Sequence, residues 1–198
     1  MVRGNVPHGT SAGQGPLLKR ILDAYVKAGS IELSLDQLAK RVGVSKRMLV
    51  HYFGSRDDLE AAAMTLLEEG LRAQFSPQAL PTGASLQVVI ETLWGRTTAP
   101  ESRGVLRLVM DLSRRAWSGS PRARSFYAEQ QELWAELLLG YLPHRKKVEE
   151  VLLLFQGAVL AYLVTGDPEP GRRALARIAK TCVSDEGRTS SRPPRRGP

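Results

Sequence analysis

Apolar residues recur at helical spacing along most of the chain, and turn signals divide this pattern into segments. Leu35, Leu38, Ala39 and Val42 share one helical face, and Gly43 interrupts the series where a turn favours a residue that tolerates positive φ. No stretch has the two-residue alternation of a half-buried strand. The pattern therefore predicts an all-α chain with about nine helices.

Serine residues mark the starts of three of these helices. Ser34 lies three residues before Gln37, and Ser55 lies three residues before Asp58. At this spacing the hydroxyl accepts from a backbone N–H while the later polar side chain reaches back. Ser45 is placed as a simpler N-cap. Together with the turn glycine, these caps predict a helix-turn-helix followed directly by a further helix.

The second helix of this pair has two different faces. An advance of about 100° per residue groups Arg47, Met48 and His51 and turns Leu49 and Phe53 to the opposite side. The apolar face can pack on neighbouring helices, and the polar face can enter a DNA major groove. Two ordinary surface helices with scattered basic residues are the alternative interpretation.

Positive charge is concentrated in the N-terminal part of a basic chain. The net charge is +8; residues 1–56 hold nine Lys or Arg and three acidic residues. Residues 57–183 hold fifteen of each sign, and residues 184–198 carry a net charge of +2. This distribution favours a surface that displaces counterions from phosphates. An acidic protein partner would suit the same charge, so a helical adaptor is the alternative function.

Beyond residue 56, turn signals delimit six further helices. The last two have apolar faces so broad that each needs partners on more than one side, which predicts a buried helical bundle. The positions on these faces that we assign to a helix–helix interface are Val151, Leu152, Phe155, Val159, Tyr162, Leu175 and Ile178. The six helices are expected at 56–75, 84–97, 102–117, 122–141, 144–165 and 171–183.

The middle helices contain most of the remaining aromatic residues. They are either plain core or, together with methionine, the lining of an apolar ligand pocket. Arg107, Asp111 and Gln130 are polar candidates that would orient a ligand. The full candidate pocket set is Trp94, Leu106, Arg107, Met110, Asp111, Trp117, Phe126, Tyr127, Gln130 and Trp134.

The residue types argue against an enzyme, a metal site, a cofactor and a membrane protein. Three His and one Cys form no cluster at ligand spacing, and no nucleophile, base and orienting group can be assembled. The lone Cys182 fits a reducing cytoplasm, and the polar, Gly-rich start lacks the apolar core of a signal peptide. The most apolar run, residues 151–166, is shorter than a bilayer span. We therefore expect a cytoplasmic protein.

The N-terminal third resembles the DNA-binding domain of the TetR family of transcriptional regulators, over roughly residues 16–75. The most specific part is His51-Tyr52-Phe53 followed by Ser55-Arg56. The resemblance implies that residues 45–51 form the recognition helix and that Ser34, Tyr52 and Arg56 face phosphates. The resulting DNA-contacting set is Ser34, Ser45, Lys46, Arg47, Met48, His51, Tyr52 and Arg56.

Several of these positions have more than one interpretation. Arg47 contacts either a guanine or a phosphate. Met48 either touches a thymine methyl or braces the helix. His51 can donate to a phosphate, titrate near neutral pH or pack, and we favour the phosphate. The connection 25–33 is shorter than is usual in the family, so the first helix is either truncated or reorganised at its end around Gly29.

The resemblance also implies an organisation and a function. We expect an unstructured arm (1–15), a helix-turn-helix domain (16–56), a ligand-binding and dimerisation domain (57–183) and a basic tail (184–198). A homodimer, joined through the apolar positions of the last two helices, would bind a pseudo-palindromic operator with half-sites about one turn apart. The expected role is that of a repressor released by a small apolar or aromatic effector.

Overall fold

Nine α-helices account for most of the residues that the computed structural model describes. These residues are 13–190 without 75, 77, 78, 81, 82 and 143, and side chains are described as far as residue 182. No strand occurs among them, which confirms the predicted fold class. A 3-10 turn, Pro100–Ser102, precedes the sixth helix. The helices are α1 (Gln14–Ala28), α2 (Leu35–Val42), α3 (Lys46–Phe53), α4 (Arg56–Gln74), α5 (Leu86–Thr98), α6 (Arg103–Trp117), α7 (Pro121–Leu139), α8 (Arg145–Thr165) and α9 (Glu169–Ser190).

The predicted caps of α2 and α3 are present. The Gln37 backbone N–H donates to Ser34 Oγ at 3.2 Å, and the Gln37 side chain accepts from the Ser34 N–H at 2.8 Å. The Met48 N–H donates to Ser45 Oγ at 3.1 Å. Gly43 ends α2 in the left-handed region, with φ of 65°. These local contacts confirm the predicted helix-turn-helix.

The start of α4 is capped in the same way by Ser55 and Asp58. The Asp58 N–H donates to Ser55 Oγ at 3.1 Å, while the Asp58 carboxylate accepts from the Ser55 hydroxyl at 2.6 Å. The hydrogen bonds that the Ser55 hydroxyl and the Ser55 backbone N–H donate to the carboxylate favour its ionised form and lower the pKa of Asp58 below its usual value. The cap fixes the direction in which α4 leaves the recognition helix.

Several helix boundaries differ from the prediction by one or two residues, and those of α1 and α9 concern the predicted arms. Helix α1 begins at Gln14, inside the predicted arm, and its end is reorganised rather than truncated: Gly29 has φ of 66° and donates to the Tyr25 carbonyl at 2.8 Å. Helix α9 continues to Ser190, past the predicted end at residue 183. The first proline of that segment is Pro193, so no missing backbone donor stops the helix earlier. The rest of both predicted arms lies outside the described residues.

The helices enclose two main apolar cores. The first is formed by α1, α2, α3 and α4, and it also includes Leu108 and Leu112 of α6 and Phe126 of α7. The second joins α5, α7, α8 and α9, with Trp94 of α5 buried in it. Because α6 and α7 contribute to the first core, the helix-turn-helix is packed against the C-terminal helices rather than standing apart from them.

A close contact between α1 and α6 depends on Gly104. A Cβ at this position would lie 2.8 Å from both the side chain and the carbonyl oxygen of Val26. Only a residue without a side chain allows the start of α6 to approach the end of α1 so closely. The contact brings α6 against the loop that precedes α2.

We expect Tyr25→Phe to stabilise the protein. Tyr25 is fully buried in the first core, and its hydroxyl has no hydrogen-bond partner. Burial, and to a smaller extent the charge of Glu60, raises the pKa of Tyr25, so the phenol stays protonated. Removing an unpaired buried hydroxyl should raise the free energy of unfolding by up to about 1 kcal/mol, as measured by urea denaturation.

The matched control is Tyr162→Phe. The Tyr162 hydroxyl donates to the Thr98 carbonyl at 3.0 Å, so its removal should lower the free energy of unfolding by about 1 kcal/mol. An equal decrease in the free energy of unfolding in both variants would contradict the conclusion that the Tyr25 hydroxyl has no hydrogen-bond partner.

Candidate DNA-binding surface and effector cleft

Helix α3 is anchored by one face and open on the other. Leu49 and Phe53 are buried in the first core, whereas Arg47 and His51 are exposed and Met48 is 42% exposed. This arrangement agrees with the two faces that helical spacing predicts. An exposed helix face carrying cationic and amphipathic side chains is the geometry that reads a major groove.

The N-terminal ends of α2 and α3 place further polar groups near this face. Ser34 and Ser45 each accept from a backbone N–H, which leaves the hydroxyl proton free to donate to a phosphate. Lys46 Nζ lies 2.9 Å from Asp36, and both side chains are largely exposed. An exposed ion pair contributes little stability, so the lysine can exchange it for a phosphate at small cost.

Tyr52 and Arg56 already have partners in the protomer. The Tyr52 ring is half-buried, lies edge-on to His51 at 5.5 Å, and has its backbone carbonyl bonded to Gln14 Nε2 at 3.0 Å. Arg56 Nε donates to Glu60 at 2.9 Å. This ion pair uses Nε, so the remaining guanidinium N–H groups can still donate to a phosphate.

Asp111, which we expected to orient a ligand, lies instead at the junction between the helix-turn-helix and the C-terminal helices. Its Oδ2 accepts from the Ser30 hydroxyl at 2.9 Å and from the Ile31 N–H at 3.2 Å. Arg107, another pocket candidate, packs its aliphatic stem against Gly29. Helix α6 thus holds the loop between α1 and α2.

Two arginines at the end of α6 extend this junction. Arg114 donates to Glu32 at 2.7 Å and to Asp111 at 3.0 Å. Arg115 lies 3.6 Å from Glu32 and 3.5 Å from Glu60. These arginines were missed in the sequence, because their partners Glu32 and Glu60 lie about fifty to eighty positions away and form no local pattern with them. Helices α4 and α6 and the loop before α2 are therefore linked by one ionic network.

We expect Asp111→Ala to loosen the junction. The variant loses the hydrogen bonds to Ser30 and Ile31 and the exposed ion pair with Arg114, which should lower the free energy of unfolding by about 1.5–3 kcal/mol in a urea titration. Hydrogen exchange at the Ile31 amide should become faster, because that N–H loses its acceptor. Asp23→Ala, an exposed aspartate on α1, serves as the control and should change stability by less than about 0.5 kcal/mol. A protected Ile31 amide in Asp111→Ala would contradict the role of Asp111.

The remaining pocket candidates are dispersed. Trp94 and Phe126 are buried in different cores, and the Trp94 indole N–H donates to the Pro168 carbonyl at 3.2 Å. Leu106 packs against the second core, and Met110 is partly buried on α6. Apolar side chains of this kind fill cores as readily as they line pockets, so their type did not distinguish the two roles.

Two aromatic candidates lie on the surface. Trp117 is 86% exposed at the end of α6, and Tyr127 is exposed on α7, where its hydroxyl donates to Gln156 at 3.4 Å. Neither lines the cleft that contains Gln130 and Trp134. We therefore omit both from the revised pocket.

Gln130 and Trp134 do lie together, in a cleft of about 190 Å³ between α4 and α7. Gln130 is only 7% exposed, and its side-chain nitrogen has no hydrogen-bond partner. The lining is mainly apolar, which suits a small organic ligand. The cleft is lined by Leu71, Arg72, Ser76, Gln130, Leu133, Trp134, Glu136 and Leu137.

The remaining question is whether the cysteine or other metal-ligand side chains in the described part of the chain form a metal site. Cys182 is buried in the second core. In the part of the chain that the structure describes, no three or more His, Cys, Asp and Glu side chains are placed to hold a metal ion together.

The predicted interface positions of α8 and α9 mostly point into the protomer. Leu152, Phe155 and Ile178 are half-buried. The other four, which belong to the second core because they lie on the inward faces of their helices, are Val151, Val159, Tyr162 and Leu175.

A different face of α8 is exposed and apolar. Leu153 is 70% exposed, Leu160 55% and Val164 78%, and Gly157 and Ala161 lie exposed between them. We call these five residues the α8 stripe. At 21 residues α8 is longer than the apolar run recognised in the sequence, and its length and composition would suffice to cross a membrane. The stripe supplies much of that apolar character.

An exposed recognition helix, held by a capped helix-turn-helix and joined to an all-α bundle, defines a helix-turn-helix DNA-binding protein. Residues 24–63 match the sequence model described as bacterial regulatory proteins, tetR family. Within this segment the chain is similar to the tetR family of bacterial regulatory proteins, which agrees with its helix-turn-helix geometry. This similarity confirms the resemblance found in the sequence.

Solved structures share the fold of most of the chain. A transcriptional regulator from Rhodococcus sp. Rha1 superposes with a TM-score of 0.69 at 19% identity, covering 85% of this chain and 96% of that one. A TetR family member from Streptomyces coelicolor A3 gives a TM-score of 0.64 at 25% identity, covering 82% and 97%. No curated protein sequence matches the chain significantly.

A third similar structure is that of the multidrug binding protein EbrR complexed with ethidium. Its TM-score is 0.57 at 24% identity, and the match covers 82% of this chain and 98% of that one. EbrR complexed with proflavin is also similar, with a TM-score of 0.53.

Proposed function

We propose that the protein is a homodimeric, cytoplasmic repressor that binds a pseudo-palindromic operator and is released by a small apolar or aromatic effector. The exposed face of α3, with Arg47, Met48 and His51 turned outward while Leu49 and Phe53 anchor the helix, is the observation that carries this proposal. The net positive charge of residues 1–56 supports it, since the recognition helix lies within this segment of the sequence.

Base reading is assigned to the exposed face of α3 and phosphate binding to the residues around it. Arg47 is placed to reach a guanine edge, and Met48 a thymine methyl. The surrounding donors fix the register of the helix on the duplex. We assign the phosphates to Ser34, Ser45, Lys46, His51, Tyr52 and the guanidinium N–H groups of Arg56 that do not pair with Glu60.

Dimerisation is assigned to the α8 stripe. Exposed leucine and valine side chains in a continuous row favour burial against another apolar surface, and Gly157 allows a partner helix to approach closely. A two-fold axis through this region would pair the stripe with itself. The dimer supplies two recognition helices, which a two-fold symmetric operator requires.

The cleft between α4 and α7 is the proposed effector site. It is the place where Gln130 and Trp134 meet apolar side chains of α4. That a protein of the same fold is described as a multidrug binding protein, and was solved with ethidium and with proflavin, supports a small-molecule effector for this chain.

Helix α4 provides a physical connection between the cleft and DNA. Leu71 and Arg72 near its end line the cleft, and Arg56 and Glu60 near its start belong to the ionic network that α6 holds. A ligand that separates α4 from α7 would move the start of α4 and change the distance between the two recognition helices. Release follows only to the extent that the ligand binds the DNA-incompetent arrangement more tightly.

The test is to select binding sites for the purified protein from random duplex DNA and to measure the salt dependence of the best site. The expected result is a two-fold symmetric motif bound by one dimer, with affinity that falls as salt is raised. Uniform weak binding without a motif would overturn the proposal and would leave the adaptor as the better explanation of the basic surface.

A further inference from the structure

The side chain of Gln130 is a buried hydrogen-bond donor with no acceptor. It is more than nine-tenths buried on α7 and lines the cleft between α4 and α7, where Leu133 and Leu137 of its own helix and Leu71 of α4 surround it. Buried polar groups are nearly always paired in folded proteins, because an unpaired one costs free energy. An acceptor on a bound molecule would remove that cost.

The size of the cleft limits the molecule. An apolar cavity of about 150 Å³ is large enough to bind benzene. At about 190 Å³, the cleft is sized for one ring or for two fused rings. The indole of Trp134 and the leucines supply the apolar walls.

The charges around the cleft disfavour an anion. Arg72 and Glu136 line it, and Glu68 of α4 interacts with Glu129 of the facing α7. Partial burial, with the charge of Glu129 as the next cause, raises the pKa of Glu68, while Arg72 lowers it. Three carboxyls against one guanidinium favour a neutral acceptor over a carboxylate ligand.

We propose that the cleft between α4 and α7 binds a neutral one-ring or two-ring carbonyl compound whose oxygen accepts a hydrogen bond from Gln130 Nε2. This inference rests on the proposed effector function and names the chemical class of the effector. The apolar walls hold the ring system, and Gln130 selects for the carbonyl.

Two probes that differ in a single functional group test the proposal. Tetralin and 1-tetralone have the same pair of fused rings, and only 1-tetralone has a carbonyl oxygen. Isothermal titration calorimetry of the full chain should give about tenfold tighter binding for 1-tetralone, the difference expected of one hydrogen bond to an otherwise unpaired donor. Equal affinities, or no binding of either probe, would overturn the proposal.

Gln130→Leu tests the residue itself. This variant keeps an apolar side chain in the cleft, and it should fold at least as stably as the wild type because it removes an unpaired amide. It should bind both probes equally. The control is Tyr127→Phe, on the same helix but outside the cleft, which should keep the tenfold preference. A preference that survives in Gln130→Leu would overturn the role of Gln130.

Operator binding is measured separately, by fluorescence anisotropy of a labelled duplex. If the carbonyl class is the effector class, 1-tetralone should release the duplex at concentrations where it saturates the cleft, and tetralin should need about tenfold more. Preferential binding of 1-tetralone without release would overturn the effector function and leave the assignment of the binding site standing.

Discussion

Leu160→Glu is expected to disrupt the proposed dimer and to lower operator affinity by at least about a hundredfold. The side chain is 55% exposed at the centre of the α8 stripe, between Leu153 and Val164. A two-fold interface would bring two copies of the new carboxylate into an apolar contact, where an unpaired charge is costly to bury. A monomer would then hold one half-site only and lose the gain that comes from linked binding.

Sedimentation measurements would report the mass, and titration of the selected operator would report the affinity. Val88→Glu is the matched control, because Val88 is a similarly exposed apolar residue on α5, outside the stripe. It should leave both dimerisation and DNA binding unchanged. If Leu160→Glu remained a dimer, the assignment of the interface to the α8 stripe would be wrong.

Arg47→Ala is expected to lower operator affinity by about tenfold to a hundredfold, corresponding to the loss of one specific contact in the major groove. The side chain is exposed and Leu49 and Phe53 hold the helix, so the fold should be unaffected. The measurement is a titration of the selected operator at several salt concentrations. Arg173→Ala, an exposed arginine on α9, is the control for a simple loss of charge.

The pattern of loss distinguishes the two roles of Arg47. If it reads a guanine, the variant should relax specificity at one base pair in each half-site. If it holds a phosphate, binding should weaken evenly across sequences and the salt slope should fall by about one. Unchanged affinity for the selected operator would remove Arg47 from the DNA-binding surface.

The helix-turn-helix could be predicted because its determinants are local. The caps at Ser34, Ser45 and Ser55 and the turn at Gly43 all involve partners within a few residues, so sequence spacing alone describes the contact. The junction could not be predicted, since Asp111 meets its backbone partner Ile31 from eighty positions away. Nothing near Asp111 in the sequence distinguishes an acceptor for a loop from one for a ligand.

The interface and pocket residues of the C-terminal helices were harder to predict from the sequence, for a related reason. Helix α8 is apolar on more than one side, and periodicity identifies its faces without saying which of them the same chain covers. Val151 and Val159 face the second core, whereas Leu153 and Leu160 remain outside. The pocket residues were hard to predict for the same reason. Only the packing of α4 against α7 shows that Gln130 and Trp134 line a cleft, whereas the other candidates do not.

The junction also bears on engineering. Hybrid sensors are made by joining the DNA-reading end of one regulator to the ligand-sensing body of another. In this protein the junction between those two parts depends on specific pairs. The Asp111 carboxylate accepts from Ser30 and Ile31, and the Arg114 guanidinium donates to Glu32. A graft cut at residue 56 would leave those groups facing foreign side chains. The exchangeable module must therefore carry its matching stretch of α6 with it.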